Sequence, residues 1–311
     1  MAPPVHPDSP PSQRVWRQLE AAPRSELERD LSQADLQTLL LDVTRQRAAA
    51  VTPATLMRRW RQDRYVTPSA SDPRALWRIE ARLWELLPAE FAGVQLSPVT
   101  PLGSCAALGP VSQNRVISTV RGSEVVSDPT NVLALEAAWR RREAAASAAA
   151  VHLACCHTVL RAQPFDEPGF FQHFRLFALV TSARDRGSAA TEAGMLVTHL
   201  KFWTSVLGAI AAGRDATVSY TVFGFPPLAE RIKDTVLPAI EPLPANVTLT
   251  EDADRQHGRG YYRRGAIKLY VDGTDVGDGG FTDWTAQLNN DAKERCFTSC
   301  VSTERLAALT S

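Results

Sequence analysis

Residues 151–182, VHLACCHTVLRAQPFDEPGFFQHFRLFALVTS, decide how this chain folds. Two apolar runs, Val151 to Leu160 and Phe170 to Ser182, have the length and β-branched content of strands. Pro164-Phe-Asp-Glu-Pro-Gly169 between them reads as the turn of a long-looped antiparallel hairpin. Arg161, in Thr158-Val-Leu-Arg-Ala-Gln163, stands where the first strand ends. An arginine there projects a planar fork of donors suited to phosphate or carboxylate. A second such arginine, Arg305 in Ser302-Thr-Glu-Arg-Leu306, follows the apolar run Cys296 to Val301. Either one alone reads as a surface ion-pairing residue; the order of the segments between them gives the pair its weight.

Working outward, Asn131 to Ala150 is alanine-rich and predicts a helix. Arg115 to Val126 is strand-like and Asp128-Pro-Thr130 reads as a turn. Upstream, Ser71-Asp-Pro73 signals a helix start, with Leu76, Ile79, Leu83 and Leu87 as its apolar stripe and Trp77 and Trp84 on a neighbouring face. That width of apolar surface predicts contact with a second subunit. Gly93 to Pro101 follows as a short, proline-containing edge strand, and an interface strand in a dimer. Downstream, Glu192 to Ala212 and Pro227 to Ile240 read as helices. Thr217 to Phe223, Ala266 to Asp272, Gly279 to Asp283 and Cys296 to Val301 read as strands, and Thr303 to Leu309 starts a terminal helix. The glycines between 273 and 280 read as hairpin residues, because no strand-to-helix context makes them a phosphate loop. Hairpin-joined strands with helices segregated between them define an α+β fold, a mostly antiparallel sheet flanked by helices.

The 311 residues allow one large domain with an appendage, expected as a disordered proline-rich leader over 1–13, a helical extension over 14–70 and the main domain over 71–311. Lys plus Arg and Asp plus Glu each number 34, so no global field draws in nucleic acid or anionic membrane. The local run Arg58, Arg59, Arg61 and Arg64 is either a solvated helix face or a contact for RNA or an acidic partner. Five cysteines without framework spacing, and an N-terminus without a signal pattern, predict a cytoplasmic protein. Charge interrupts every apolar stretch before about 18 residues, so no membrane span is expected. Cys155, Cys156 and His157 suggest zinc, but neighbours on a strand point to opposite faces and a Cys-x-x-Cys spacing is missing, so no metal site is expected.

In this order the segments resemble the catalytic domain of class II aminoacyl-tRNA synthetases. The likeness is to the histidyl-tRNA synthetase branch with its ATP phosphoribosyltransferase regulatory paralogue, over roughly residues 72 to 309. Residues 73–101, ending in Pro101, resemble the family's dimer-forming first motif and imply a homodimer. Leu160-Arg-Ala-Gln163 with Gln172-His-Phe174 resembles the second motif, and Ser302-Thr-Glu-Arg305 the third. The resemblance implies that ATP, with Mg2+, activates a carboxylate. Arg161 would hold the α-phosphate and substrate carboxylate, and Arg305, beside Glu304, the γ-phosphate and one adenine face, with Phe174 on the other. Asp128 and Thr130 match the residues that bind the substrate amino group, and Tyr261 and Tyr262 the pair lining the amino-acid pocket.

The chain departs from this pattern in ways that bear on chemistry. The second-motif glutamate is Gln163, which hydrogen-bonds without charge, and the third-motif glycine is Ser302. The histidine-reading Gln and Glu correspond to Leu176 and Val180, so the resemblance implies a substrate other than histidine. The catalytic arginine before the Tyr-Tyr pair aligns with His257, with Arg259 two residues on as a substitute. Nothing follows Leu309 that matches an anticodon-binding domain. The resemblance thus implies an adenylate-forming ligase acting on a small amino acid or carboxylate, with a protein or RNA acceptor other than a standard tRNA. The alternative is a non-catalytic regulatory subunit. RNA binding through the basic N-terminal helices is a third reading.

Overall fold

In the computed structural model, which describes residues 10–18, 24–109, 111–143, 149–163 and 171–310, the hairpin read from residues 151–182 forms the spine of one sheet. Strand β4 (Val151–Leu160) pairs antiparallel with β5 (His173–Arg184), Leu153 opposite Val180 and Leu160 opposite His173. The turn expected over 164–169 lies outside the described residues, as do 1–9 of the proposed leader, whereas Pro10–Gln18 form a helix, α1. The other strands are β1 (Ala92–Gly93), β6 (Ala216–Val222), β7 (Val247–Glu251), β8 (Arg263–Val271), β9 (Thr274–Thr282) and β10 (Glu294–Ser302). Together they make an eight-stranded sheet in the order β1-β4-β5-β10-β9-β8-β6-β7. Only the edge pairings β1 with β4 and β6 with β7 are parallel; the five between them are antiparallel. The fold is therefore α+β with a mostly antiparallel sheet.

Side chains alternate across that sheet and sort two cores onto its faces. Phe177, Leu179, Phe297 and Val301 pack against one set of helices, including α7 (Ala190–Ile210), whose Phe202, Trp203, Val206 and Leu207 are buried. Leu153, Ala178, Val180 and Cys296 face the other way, toward α6 (Pro129–Glu143) and α10 (Trp284–Asn289) through Leu133, Ala134, Ala137 and Trp284. Among the described residues α7 is the one helix long and apolar enough to cross a membrane by length and composition, and Lys201 interrupts its apolar run as the sequence reading expects. Glu192 and Lys201 are its only charges, and 56% of the span is buried in the core.

Several elements differ from their sequence reading. The stretch Gly93 to Pro101 is not one strand: β1 joins the main sheet, while β2 (Val99–Pro101) pairs with β3 (Ser123–Val125) in a separate two-stranded sheet. Of the strand-like Arg115 to Val126, only Ser123–Val125 is a strand, preceded by a 3-10 turn at Gln113–Arg115. Gly277, Gly279 and Gly280 lie inside β9 rather than in its hairpin, and only Gly273, with φ +74°, serves the turn. A Cβ on Gly280 would sit 2.5 Å from the Tyr262 ring, so glycine there lets that ring lie across the strand. On α4 (Pro73–Leu86), capped by Asp72, Leu83 is fully buried and Trp84 packs edge-on to Phe177 at 4.8 Å, while Trp77 is 72% exposed.

The chain divides into two units: Met1–Gln62 with Thr119–Gly122, and Asp63–Ser118 with Ser123–Ser311. In the first, α2 (Gln33–Ala49) is capped by Ser32, α3 (Pro53–Gln62) carries Arg58, Arg59 and Arg61, and neither helix has a buried residue. In the second, residues 63–70 are tied to the hairpin, since the Arg64 guanidinium and Tyr65 hydroxyl both reach the Ala162 carbonyl and His173 Nε2 bonds the Thr67 carbonyl.

Candidate active site

On the α6 face of the sheet lies a cavity of about 300 Å³. Its lining includes Arg115, Asp128, Thr130, Arg161, Gln163 and Asp278, with Tyr261, Tyr262, Thr298, Cys300 and Cys105 closing the remaining sides. The hairpin supplies Arg161, one of the two arginines in that lining. Where β4 ends, the Arg161 amide donates to the Gln172 carbonyl (2.8 Å), which fixes the backbone. Nε then donates to the Ser127 carbonyl (3.0 Å), and the guanidinium lies over the Phe174 ring, 5.0 Å from its centroid. A stacked, singly tethered guanidinium keeps its fork in one orientation.

Asp128 is set by α6. Rather than forming an isolated turn, Asp128-Pro-Thr130 opens that helix: Oδ1 accepts the Thr130 amide (2.9 Å) and hydroxyl (2.7 Å). Oδ2 accepts the Tyr261 hydroxyl at 3.2 Å. Tyr261 and Tyr262 meet edge to face at 4.9 Å, and burial pushes both phenols well above their ordinary pKa, so both remain donors. The Asp278 carboxyl, which accepts from Tyr262, is raised by desolvation first and then by Asp128, against a lowering influence of Arg255. Burial likewise raises the Cys105 and Cys300 thiols. Cys105 is held in the wall by Glu124, whose carboxylate accepts the Cys105 (3.0 Å) and Gly103 (2.8 Å) amides at the start of α5 (Ser104–Leu108).

The cavity thus unites Arg161, Gln163, Asp128, Thr130, Tyr261 and Tyr262. Other expected site residues lie outside it. Leu176 and Val180 are buried at 5% and 0% exposure, Leu176 against Val126 and Val159 and Val180 beneath α6. Phe174 lies beneath the Arg161 guanidinium. Arg305, at the start of α11 (Thr303–Thr310), donates to the Asp275 carbonyl at 2.7 Å. Glu304 turns inward, both oxygens accepting the Arg175 amide at 2.8 and 2.9 Å, and burial raises its pKa. His257 is exposed, and Arg259 lies over the Phe223 ring with Nε on the Arg255 carbonyl. Arg115, Asp278, Thr298 and Cys300 are lining residues that the sequence reading missed. The strand alternation that places Cys296 toward α6 also points Thr298 and Cys300 to that face.

Comparison with known structures bears on the fold. An ATP phosphoribosyltransferase regulatory subunit/histidyl-tRNA synthetase from Bacillus halodurans is similar over 76% of this chain and 79% of its own, with TM-score 0.56 and 11% identity. The histidyl-tRNA synthetase of S. aureus matches over 78% of this chain and 68% of its own (TM-score 0.53, 14% identity). That of Nostoc sp. PCC 7120 matches over 78% and 73% (TM-score 0.54, 13% identity). The chain matches no protein-family model, and no curated protein matches its sequence. What is shared at these identities is the fold, that of the class II aminoacyl-tRNA synthetase catalytic core. It is similar in fold to these histidyl-tRNA synthetase-like structures.

Proposed function

We propose that this protein is an ATP-dependent, adenylate-forming ligase that activates an amino acid or small carboxylate for an acceptor other than a standard tRNA. The supporting observation is the polarity of the cavity, with the stacked Arg161 fork on one side and Asp128 with Thr130 on another. A zwitterion needs that complement, its carboxylate on the guanidinium and its ammonium on the carboxylate. A substrate carboxylate oxygen attacks the α-phosphorus of ATP, the bond from that phosphorus to the bridging oxygen breaks, and pyrophosphate leaves. Arg161 stabilises charge gathering on the α-phosphate without reorganising. The acceptor, a protein or RNA nucleophile, then takes the acyl group and AMP departs. Among the described residues no three His, Cys, Asp or Glu side chains form a metal-ligand set, so magnesium would enter on the phosphates of the nucleotide. Arg305 would exchange the Asp275 carbonyl for the γ-phosphate. A homodimer through residues 73–101, with Trp77 on its apolar face, and a cytoplasmic location complete the proposal. Amino-acid-dependent exchange of pyrophosphate into ATP tests it; no exchange with any carboxylate, in folded protein, overturns it.

A second reading, a non-catalytic regulatory subunit, draws support from Glu304, His257 and Arg259, none of which lines the cavity. ATP binding that is lost in Arg305→Ala favours the ligase. Co-purification with a phosphoribosyltransferase and no nucleotide binding favours the regulator.

A further inference from the structure

The cavity holds two carboxylates with different commitments. Asp128 is nearly saturated, accepting the Thr130 amide and hydroxyl on one oxygen and the Tyr261 hydroxyl on the other, of about four lone-pair sites. Asp278 comes from a central strand, opposite Cys300 and Lys268 in register, and its side chain meets the cavity between Tyr262, Thr298 and Cys300. The nearest buried cation, Arg255, is directed elsewhere: Nε donates to the His257 carbonyl (2.8 Å) and Nη1 to the Ile267 carbonyl (3.0 Å), with its guanidinium over the Tyr262 ring. Beyond the hydrogen bond it accepts from Tyr262, the Asp278 carboxyl faces Thr298 and Cys300, and its spare acceptor sites in this desolvated pocket call for a donor from the ligand.

We infer that the cavity takes an amino acid whose side chain ends in a cationic hydrogen-bond donor, an ammonium or amidinium group, and that Asp278 selects it. This rests on the ligase reading for the other end of the ligand, where Asp128 and Thr130 take the α-ammonium and Arg161 the carboxylate. Asp278 supplies the third point. Burial raises its pKa against the lowering influence of Arg255, Asp128 raises it further, and a docked cation relieves both raising effects. A neutral side chain of the same length leaves the remaining acceptor sites of the carboxyl unmatched, a penalty that polar pockets turn into strong discrimination.

The test is calorimetric titration of the full chain with L-lysine, L-ornithine and L-arginine against L-norleucine and L-norvaline, with and without a non-hydrolysable ATP analogue. At least one basic amino acid is expected to bind about 100-fold tighter than its neutral isostere. Asp278→Asn, checked by circular dichroism, should remove that preference. Where that variant does not fold, the unmodified protein's ratio of basic to neutral affinities decides. Equal or tighter binding of the neutral isosteres, or no binding of any basic amino acid, overturns the inference. Pyrophosphate exchange on the same panel separates the two claims. Basic amino acids that bind without exchange leave the inference standing and remove the ligase. Exchange with neutral or acidic amino acids alone does the reverse.

Discussion

His199 and Ser299 are joined across the main core by a 2.7 Å contact between Nδ1 and Oγ, behind the strand whose other face borders the cavity. The Trp203 indole, a donor only, gives its proton to the same Oγ at 2.8 Å. The Ser299 hydroxyl thus serves both Trp203 and His199, while His199 Nε2 contacts Thr181 Oγ1 (2.9 Å), which in turn reaches His152 Nδ1 (3.0 Å). Complete burial of the ring favours the neutral imidazole.

Acid should therefore destabilise the protein through His199. Its pKa is lowered to about 3, by burial first and by His152 second, against about 6.5 when unfolded. Between those values the unfolded state binds the extra proton, so the stability present above pH 6.5 is lost as pH falls. At pH 5 the loss is about 2 kcal/mol. Urea denaturation at pH 7.5 and pH 5 should show it, and His199→Gln should flatten the dependence to the smaller share of His152, whose pKa is also lowered by burial.

Arg161→Lys should reduce pyrophosphate exchange by about 100-fold, because an ammonium cannot both lie flat on Phe174 and present a fork to the phosphate. Phe174→Leu, which removes the stacking platform and keeps the charge, should cost about 5-fold, because the interaction lost is of the order of 1 kcal/mol. Neither change should lower the melting temperature by more than a few degrees, since Arg161 sits at the rim of the cavity. A loss of exchange equal in both variants would contradict this division of labour.

Arg141 and Glu294 lock α6 to β10 by two hydrogen bonds of 3.0 and 2.8 Å, with both side chains at most 6% exposed. Glu294→Ala should cost about 3–5 kcal/mol, because it strands a buried guanidinium. Replacing both partners with Met and Leu should recover most of that loss. Chemical denaturation of the single and double variants measures the difference.

What the sequence discloses here follows from how local its signals are. The hairpin of β4 and β5 was legible because each strand is a long apolar run, and Arg161, Asp128, Thr130 and Tyr261 because each stands beside a helix or strand terminus. Asp278 was not. In Gly277-Asp-Gly-Gly280 the glycines imitate a turn, but they are demanded by tertiary packing, Gly277 by the backbone of Cys300 and Gly280 by the ring of Tyr262. Glu304 and Arg305 sit side by side in sequence and serve opposite surroundings, one bonded to the Arg175 amide and the other to the Asp275 carbonyl. That divergence is set by where β10 passes into α11, which composition does not report.

Trp77 and Trp84 lie two turns apart on α4 and should separate stability from association. Trp84 packs edge-on against Phe177 and lies 3.2 Å from a Cβ built on Gly93, so Trp84→Ala should cost about 2–3 kcal/mol, toward the low end for aromatic truncation because the ring is half-buried. Trp77 is 72% exposed, and Trp77→Ala should change the free energy of unfolding by less than about 0.5 kcal/mol. An exposed tryptophan on the helix that opens the proposed dimer contact should instead be felt in assembly. Trp77→Asp would place a charge in an apolar interface, and sedimentation at a fixed concentration should then show a shift from dimer toward monomer with the melting transition of the monomer intact. An unchanged sedimentation coefficient in Trp77→Asp would remove α4 from the contact and leave Trp77 as an ordinary surface side chain.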